Sequence, residues 1–258
     1  MNRVNGQIGF SQRVRLEWLD KTANLVLAGS DKTSIYNNLR TLLREKLSVG
    51  GNAKRGSREK TITILMKIWV STPNHLNSFK LDALNFLSQL SSDDRLFIHW
   101  GMTMAVYPFW GVVASYVGRL LKLQGVVSHA QVRRRIQEQY GQRPTVKDAV
   151  RRVLRSMVDW GVLTEAQSQG TRNGRGMFIQ GRTREITCVG HLAWLIEAFI
   201  YSYQSESVPF QLALNSPSLF PFKFQAISAE QLVKHSSRLE VIKHGLDQEL
   251  ITLCREMQ

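Results

Sequence analysis

Apolar side chains recur at steps of three and four residues through the first third of the chain, which is the spacing of amphipathic helices. The predicted helices are Val14 to Leu25, Ile35 to Leu47, Ser57 to Trp69 and Leu81 to Leu90. Gly29-Ser30-Asp31 supplies a stop for the first helix and a cap for the second, and Ser57 is the expected cap of the third. We therefore predict a helical bundle domain over residues 1–95, with Trp18 and Trp69 in its core.

A long apolar segment without Asp, Glu, Lys or Arg follows, from Leu96 to Gly118. It is long enough to cross a membrane, but polar side chains such as His99 and Thr103 are scattered around it, and Pro108 breaks its central turn. We expect a buried, kinked core helix that bridges two domains. A membrane helix is the alternative.

The next stretch predicts two short helices joined by a tight turn. Ser128 and Gln131 have the spacing of a capping box, which starts the first of them, and the chain turns at Tyr140-Gly141. Thr145 is the expected cap of the second helix, whose buried face is centred on Val150. This order is that of a helix-turn-helix motif, in which the second helix is the recognition helix.

A hairpin rich in arginine and glycine is predicted to follow this motif. Gly161 ends the second helix, and a short strand begins. We expect Met177 to Gln180 to pair with Arg184 to Cys188, and the loop Gly170 to Gly176 to carry further arginines. Together these elements predict a long core helix plus a winged helix-turn-helix domain over residues 96–188.

The C-terminal region, residues 189–258, has a similar order of elements. An apolar helix from Gly190 to Tyr203 precedes an irregular segment, Asn215 to Phe224, which two prolines interrupt. Ser228 caps a short helix, and Arg238 to Leu253 alternates as a hairpin does. We therefore consider a second winged helix here, and the predicted fold class is mainly α with small β-hairpin wings.

Charge is concentrated in the predicted helix-turn-helix and wing. The chain has a formal net charge of +14. Between Arg119 and Arg184 there are 14 Lys or Arg and 4 Asp or Glu, a difference of +10. Such a basic patch on this motif is typical of nucleic-acid-binding proteins, so double-stranded DNA is the expected partner. RNA, a docked protein and an anionic membrane surface remain alternatives.

Basic side chains on exposed faces are the candidate DNA contacts. Arg151, Arg152 and Arg155 lie about 100° to 200° around the helix from Val150, which suits a face turned toward a duplex groove. The full candidate set is Arg133, Arg134, Lys147, Arg151, Arg152, Arg155, Arg172, Arg175 and Arg182. Asp148 competes for two of them, because it lies three and four residues before Arg151 and Arg152.

A second group of cations lies in the polar loop from Gly50 to Lys60. Lys54, Arg55 and Arg58 are secondary candidates for DNA contact. Charge runs are usually solvated, so a loop that leads into the third helix is the plainer interpretation.

No sequence pattern indicates an enzyme, a metal site or a cofactor. The six histidines lack metal-ligand spacing, and neither Cys188 nor Cys254 has an activating partner nearby in sequence. A nucleophile elbow and a phosphate-binding loop are both missing from the sequence. Glu197 lies on an apolar helix, where a structural ion pair is the expected role. We expect a non-enzymatic protein without metal or cofactor.

Two cysteines without framework spacing fit a reducing compartment. Residues 1–10 carry one charge and no apolar run of signal-peptide length. We therefore expect a cytoplasmic protein and no export.

Four stretches of the sequence together resemble one known family. They are NGQIGFSQRVRLEWLDKTANLVLAG, REKTITILMKIW, HWGMTMAVYPFW and RRVLRSMVDWGVL. Over its full length the chain resembles the BrxA family of the BREX phage-defence systems. The resemblance implies a small, non-enzymatic, cytoplasmic component of a bacterial system that methylates host DNA and blocks phage replication, with winged-helix domains that bind double-stranded DNA. It assigns no individual DNA contacts.

Two functional hypotheses follow from these observations. The first is a DNA-binding accessory protein of BREX defence that uses the Arg-rich helix and wing. The second is an adaptor that holds other defence proteins, such as a methyltransferase or an ATPase. The adaptor hypothesis rests on a C-terminal aromatic surface, for which the candidates are Phe210, Phe220, Phe222 and Phe224.

Overall fold

The computed structural model describes residues 8–47, 56–166, 176–244 and 248–254, which are mostly helical with three small sheets. The helices are α1 Leu16–Leu27, α2 Lys32–Leu42, α3 Ser57–Trp69, α4 Asn77–Gln89, α5 Leu96–Val106, α6 Pro108–Gln124, α7 His129–Tyr140, α8 Pro144–Asp159, α9 Val189–Tyr203, α10 Phe210–Leu214 and α11 Ala229–Val233. The strands are β1 Val126–Ser128, β2 Leu163–Glu165, β3 Met177–Gln180, β4 Arg184–Glu185, β5 Ser207–Pro209, β6 Phe222–Lys223, β7 Leu239–His244 and β8 Gln248–Leu253. The mainly α class with small sheets is therefore confirmed.

The four predicted N-terminal helices are present as α1 to α4. Asp31 caps α2, because its carboxylate accepts hydrogen bonds from the backbone N–H groups of Thr33 and Ser34. Trp18 and Trp69 are buried, as predicted. The predicted Ser57 cap is wrong: Ser57 is already the first residue of α3, which begins without a side-chain cap.

The long apolar segment forms two helices where one kinked helix was predicted. The chain bends by 119° between α5 and α6. Pro108 is the first residue of α6. A backbone N–H at this position has no partner within the helix, so proline, which lacks one, loses no hydrogen bond there. Every residue of α5 is buried, so the prediction of a core segment is confirmed. Within the described ranges no single helix has the length and hydropathy of a membrane span, although α5 and α6 taken together do.

Along the chain, α7 and α8 lie between strands of one three-stranded sheet. Strand β1 leads into α7, and β2 and β3 follow α8. Strand β3 lies between β1 and β2 and is antiparallel to both. The predicted pairing of Met177 to Gln180 with Arg184 to Cys188 is therefore wrong. Strands β1 and β2 pair with the two edges of β3, and β4 pairs in parallel with β6 instead.

Helices α7 and α8 begin in different ways. Ser128 and Gln131 form the predicted capping box at the start of α7. The predicted Thr145 cap is wrong, because α8 already begins at Pro144 with Arg143 before it. Proline suits the first position of a helix, since its fixed backbone angle is already helical. Val150 lies on the buried face, as predicted.

The C-terminal unit, residues 189–258, repeats this arrangement with shorter helices and longer hairpin strands. Helix α9 is followed by β5, α10, α11 and the hairpin of β7 and β8, and β8 lies between β5 and β7. Ser228 caps α11, as predicted. The predicted hairpin is present as β7 and β8, and its turn at Gly245 lies outside the described residues.

The aromatic surface predicted for the C-terminal region is largely absent from the described surface. Phe210 is 2% exposed and Phe222 is 6% exposed. Phe220 and Phe224 are partly buried against the core. This prediction was wrong for Phe210 and Phe222, because both rings are part of the core that joins this unit to α5 and α6.

One continuous apolar core includes residues from all three predicted domains. Helix α5 packs against α9, and the 3-10 turn Pro217–Leu219 packs against α6. The ring of Trp160, at the end of α8, stacks on Trp110 of α6 with ring centroids 4.6 Å apart. Helix α8 is therefore fixed to the centre of the molecule.

Candidate nucleic-acid interface

The exposed face of α8 carries a stripe of cations. Lys147, Arg151 and Arg155 are exposed and lie four residues apart, which places them on one side of the helix. Arg152 is half-buried beside the stripe. The opposite face packs into the core through Val146, Ala149, Val150, Val153, Leu154 and Met157. The strong separation of apolar and cationic faces fixes which side of α8 is available to a ligand.

Two ion pairs occupy part of this stripe. Arg151 Nη2 lies 3.2 Å from the carboxylate of Asp148, and Arg155 pairs with Glu165 of β2. All four side chains are about half exposed. Exposed pairs of this kind contribute only about 0–1 kcal/mol, so a phosphate can replace the carboxylate at small cost.

Helix α7 contributes the neighbouring cations. Arg134 is largely exposed and pairs with Glu138, 3.2 Å away and one turn further along the helix. Arg133 is half-buried, and its Nε is a buried atom without a hydrogen-bond partner in the described part of the chain. The two adjacent arginines therefore differ, with Arg134 solvated and Arg133 turned toward the protein.

His129 lies where the cations of the two helices come together. Burial lowers the pKa of its ring, and the positive charges of Arg133, Arg151, Lys147 and Arg155 lower it further. His129 is not among the contacts predicted from the sequence, although its place four residues before Arg133 on α7 is a signal that both lie on one face.

Arg182 lies at the far end of α8. Its backbone N–H donates a hydrogen bond to the Gly161 carbonyl at 2.7 Å. Arg182 and Glu165 line the same shallow depression. Since Glu165 pairs with Arg155, Arg182 continues the basic surface beyond the stripe.

The remaining candidates divide into two groups. Lys54, Arg55, Arg172 and Arg175 lie outside the described residues. Arg58 is 9% exposed, at the start of α3, and its Nε has no hydrogen-bond partner among the residues described. Arg58 is therefore largely covered by protein, beside Glu59 at 3.8 Å.

The end of α8 is tied to the segment before α1. Arg13 forms a two-pronged ion pair with Asp159. The Val14 backbone N–H donates a hydrogen bond to Ser156 Oγ at 2.9 Å. These contacts link the basic helix to the N-terminal helices, and no local sequence pattern indicated them.

The C-terminal unit has the same order of elements but a different charge. Residues 189–258 contain 5 Lys or Arg and 7 Asp or Glu, a difference of −2. One of the five cations, Arg238, forms a buried ion pair with Glu197. The Glu197 carboxylate accepts hydrogen bonds from Arg238 at 2.6 and 3.1 Å. The prediction that Glu197 is buried in a structural ion pair is confirmed. The cationic surface therefore belongs to the segment from α6 to β3.

Within the described ranges, no group of three or more His, Cys, Asp or Glu side chains is placed to hold a metal ion. Comparisons of the chain with protein-family models, curated proteins and solved structures returned no significant match.

Proposed function

We propose that α6, α7, α8 and strands β1 to β3 form a winged helix-turn-helix domain that binds double-stranded DNA through the exposed face of α8. The order of elements supports the proposal, because a helix, a strand, two helices and a hairpin follow one another and the last strand is central in the sheet. The observation that carries the proposal is the exposed cationic stripe of Lys147, Arg151 and Arg155 on the second helix of the pair.

The proposed mode of binding is mainly through phosphates. Arg151 and Arg155 exchange their exposed carboxylate partners for phosphate oxygens, which a guanidinium contacts with two parallel hydrogen bonds. Lys147 adds a point charge, and Arg182 extends the contact beyond the end of α8. Phosphate contacts position a protein on DNA and carry no sequence information directly. Affinity is therefore expected to depend strongly on salt.

A triple variant tests this face. Lys147→Ala, Arg151→Ala and Arg155→Ala together remove three cations, and a matched triple of Lys21→Ala, Lys32→Ala and Arg44→Ala removes three exposed cations from α1 and the α2 region. The first triple is expected to flatten the slope of log affinity against log salt by about 3, because each phosphate contact contributes about 0.9. The second triple is expected to leave it unchanged. Equal slopes for both would reject α8 as the DNA-binding face.

The biological role we propose is that of a non-enzymatic, cytoplasmic accessory component of a BREX phage-defence system. Its support is the family resemblance, part of which, RRVLRSMVDWGVL, covers the basic face of α8 and the start of β2. Phage plating on cells that carry the defence system tests this role. Cells with the α8 triple variant are expected to lose protection, whereas protection equal to wild type would contradict a role for this face.

A protein-docking role for the C-terminal unit is the second candidate. It is favoured by the charge difference between the two units and by three exposed apolar side chains, Tyr203, Leu212 and Ile242. Co-purification with a tagged methyltransferase or ATPase of the same system is the test. Ile242→Glu is expected to abolish recovery without changing DNA affinity, and recovery unaffected by the variant would reject this surface.

A further inference from the structure

The ring of His129 sits at the junction of three elements. His129 is the first residue of α7, and its backbone N–H donates a hydrogen bond to the Gly176 carbonyl, just before β3, at 2.7 Å. The third element is α8, which packs along α7. The ring is half-buried and fixed to the sheet through its own backbone.

Two buried nitrogen atoms here lack partners. His129 Nε2 and Arg133 Nε are both buried, and neither has a hydrogen-bond partner in the described part of the chain. The two residues are four apart on α7, so their side chains lie on the same face. In folded proteins a buried polar atom without a protein partner is usually bound by a water molecule or an ion.

The charge around this pair is one-sided. Arg133 faces His129 from α7, and Lys147, Arg151 and Arg155 face it from α8. Strands β1 and β3, which flank the start of α7, contain no charged residue. Asp148 and Glu165, the carboxylates beside these cations, are engaged by Arg151 and Arg155. An anion is therefore the ligand that this cluster suits.

We propose that His129 and Arg133 hold one phosphate of a bound duplex, with Arg133 donating from Nε and His129 donating from Nε2 after its ring has taken up one proton from solvent. This inference rests on the proposed function. Both nitrogens are shielded from solvent in the free protein, so the two side chains turn outward when the phosphate binds, and its oxygens then supply the acceptors that these nitrogens lack. No covalent bond is made or broken, and the proton is returned to solvent when the duplex leaves.

Because phosphate binding is coupled to proton uptake by His129, duplex affinity is expected to depend on pH. Burial and the four cations lower the pKa of His129 in the free protein, so its ring is neutral near neutral pH. A bound phosphate adds a negative charge beside the ring and favours the protonated form. Duplex affinity therefore rises as pH falls, by at most about tenfold per pH unit for one proton.

Duplex affinity at fixed salt, measured at about pH 8 and about pH 6, tests the proton uptake. Three proteins are compared: wild type, His129→Gln and His235→Gln. His235 is exposed on another part of the surface, so its variant is the control. We expect wild type and His235→Gln to bind at least about threefold more tightly at the lower pH, within the limit set for one proton. His129→Gln is expected to bind duplex with an affinity that does not change with pH. A pH response that persists in His129→Gln overturns the proposal, while salt-dependent binding by the same proteins leaves the proposed function intact.

The titration of the His129 ring by NMR in the wild-type protein needs no variant. Its pKa is compared in chloride, in inorganic phosphate at equal ionic strength, and with a short mixed-sequence duplex. A rise with duplex alone assigns the site to the DNA backbone, and a rise with both assigns it to phosphate in general. A rise with inorganic phosphate in a protein that binds no duplex keeps the anion site and rejects the proposed function. An unchanged pKa under all conditions overturns the site.

Discussion

The indole Nε1 of Trp160 donates a hydrogen bond to the backbone carbonyl of Val14 at 2.9 Å, across 146 residues of sequence. Trp160 also stacks on Trp110, so the end of α8 is held by both a polar contact and the aromatic core. The helix that carries the cationic stripe is thereby a rigid extension of the N-terminal part of the molecule. A rigid support lowers the entropy lost when its side chains bind a ligand.

This contact predicts a measurable loss of stability. Trp160→Phe keeps an aromatic ring but leaves the Val14 carbonyl without its donor, and a buried acceptor without a partner costs about 1–3 kcal/mol. Urea unfolding measures the change. Tyr203→Phe, at an exposed ring, is the control and is expected to change the free energy of unfolding by less than about 0.5 kcal/mol. Equal stability of Trp160→Phe and wild type would contradict the role of this hydrogen bond.

Gly118 is predicted to be the least replaceable residue of α6. A Cβ atom there would lie 2.0 Å from the carbonyl oxygen of Pro217, which is backbone and unable to move aside. Gly125 has a left-handed backbone conformation, but nothing lies within 4 Å of its Cβ position. Gly118→Ala is expected to cost at least about 3 kcal/mol, and Gly125→Ala about 1–2 kcal/mol. Thermal unfolding of the two variants compares their losses of stability. A larger loss in Gly125→Ala than in Gly118→Ala would contradict the close approach of α6 to Pro217.

The buried carboxylate of Glu197 predicts a strong dependence on Arg238. Burial raises the pKa of Glu197 even though Arg238 opposes the shift. Arg238 also pairs with Asp82 of α4, so its loss uncouples two parts of the fold. Arg238→Ala is expected to lower the free energy of unfolding by about 3–5 kcal/mol, because the buried carboxylate of Glu197 loses the cation that neutralises it.

The exposed pair of Lys243 and Glu230, with 3.5 Å between its charged atoms, is the matched control for Arg238→Ala. Lys243→Ala is expected to cost less than about 1 kcal/mol. Denaturant unfolding of the two variants compares a buried pair with an exposed one in the same unit. Similar small losses for both would show that the Glu197 pair adds little.

Acid is predicted to destabilise the fold through His99 and Asp20. His99 is buried, and its Nε2 lies 3.3 Å from the Asp20 carboxylate, which also accepts a hydrogen bond from Arg95 at 2.9 Å. Burial lowers the pKa of His99, although Asp20 opposes the shift. Burial alone would raise the pKa of Asp20, but the hydrogen bonds from His99 and Arg95 lower it to about 2.

Both pKa values are lower in the folded state, so both groups stabilise the fold fully at high pH. The contribution of His99 is lost as pH falls below about 6.5, its unfolded value, and that of Asp20 is lost between about pH 4 and pH 2. Unfolding free energies measured from neutral to acid pH follow the loss. His99→Gln is expected to flatten the first part of the curve, and an unchanged pH dependence in this variant would exclude His99 as its source.

Local signals in the sequence predicted the helices well. The capping boxes at Ser128 and Ser228 and the cap at Asp31 depend on residues within four positions, so spacing alone identifies them. The caps predicted at Ser57 and Thr145 lie one and two positions after the residues that precede α3 and α8, Gly56 and Arg143. A glycine before α3 and a proline at the start of α8 allow the two helices to begin one and two residues earlier than predicted, without a side-chain cap.

Contacts between distant residues were not predictable from these signals. The pairing of β4 with β6 joins residues almost 40 positions apart, and hydrophobic alternation does not identify a partner strand. The same limit applies to Phe210 and Phe222, which the sequence marks as apolar without indicating what covers them.

The candidate site was predictable in outline because charge and helical spacing are sequence properties. The angular placement of Arg151 and Arg155 away from Val150 is confirmed by their exposure. The burial of Arg133 and the position of His129 depend on how α7 packs on α8, which the sequence did not specify.

The most direct measurement is a salt titration of wild-type protein binding to an unrelated duplex DNA, with matched single-stranded DNA and an RNA duplex as controls. We predict tighter binding to the DNA duplex, with a slope of log affinity against log salt of about −3 or steeper, because several phosphates are neutralised. The absence of duplex binding at low salt would contradict the central claim. The basic face of α8 would then be a solvated or protein-facing surface.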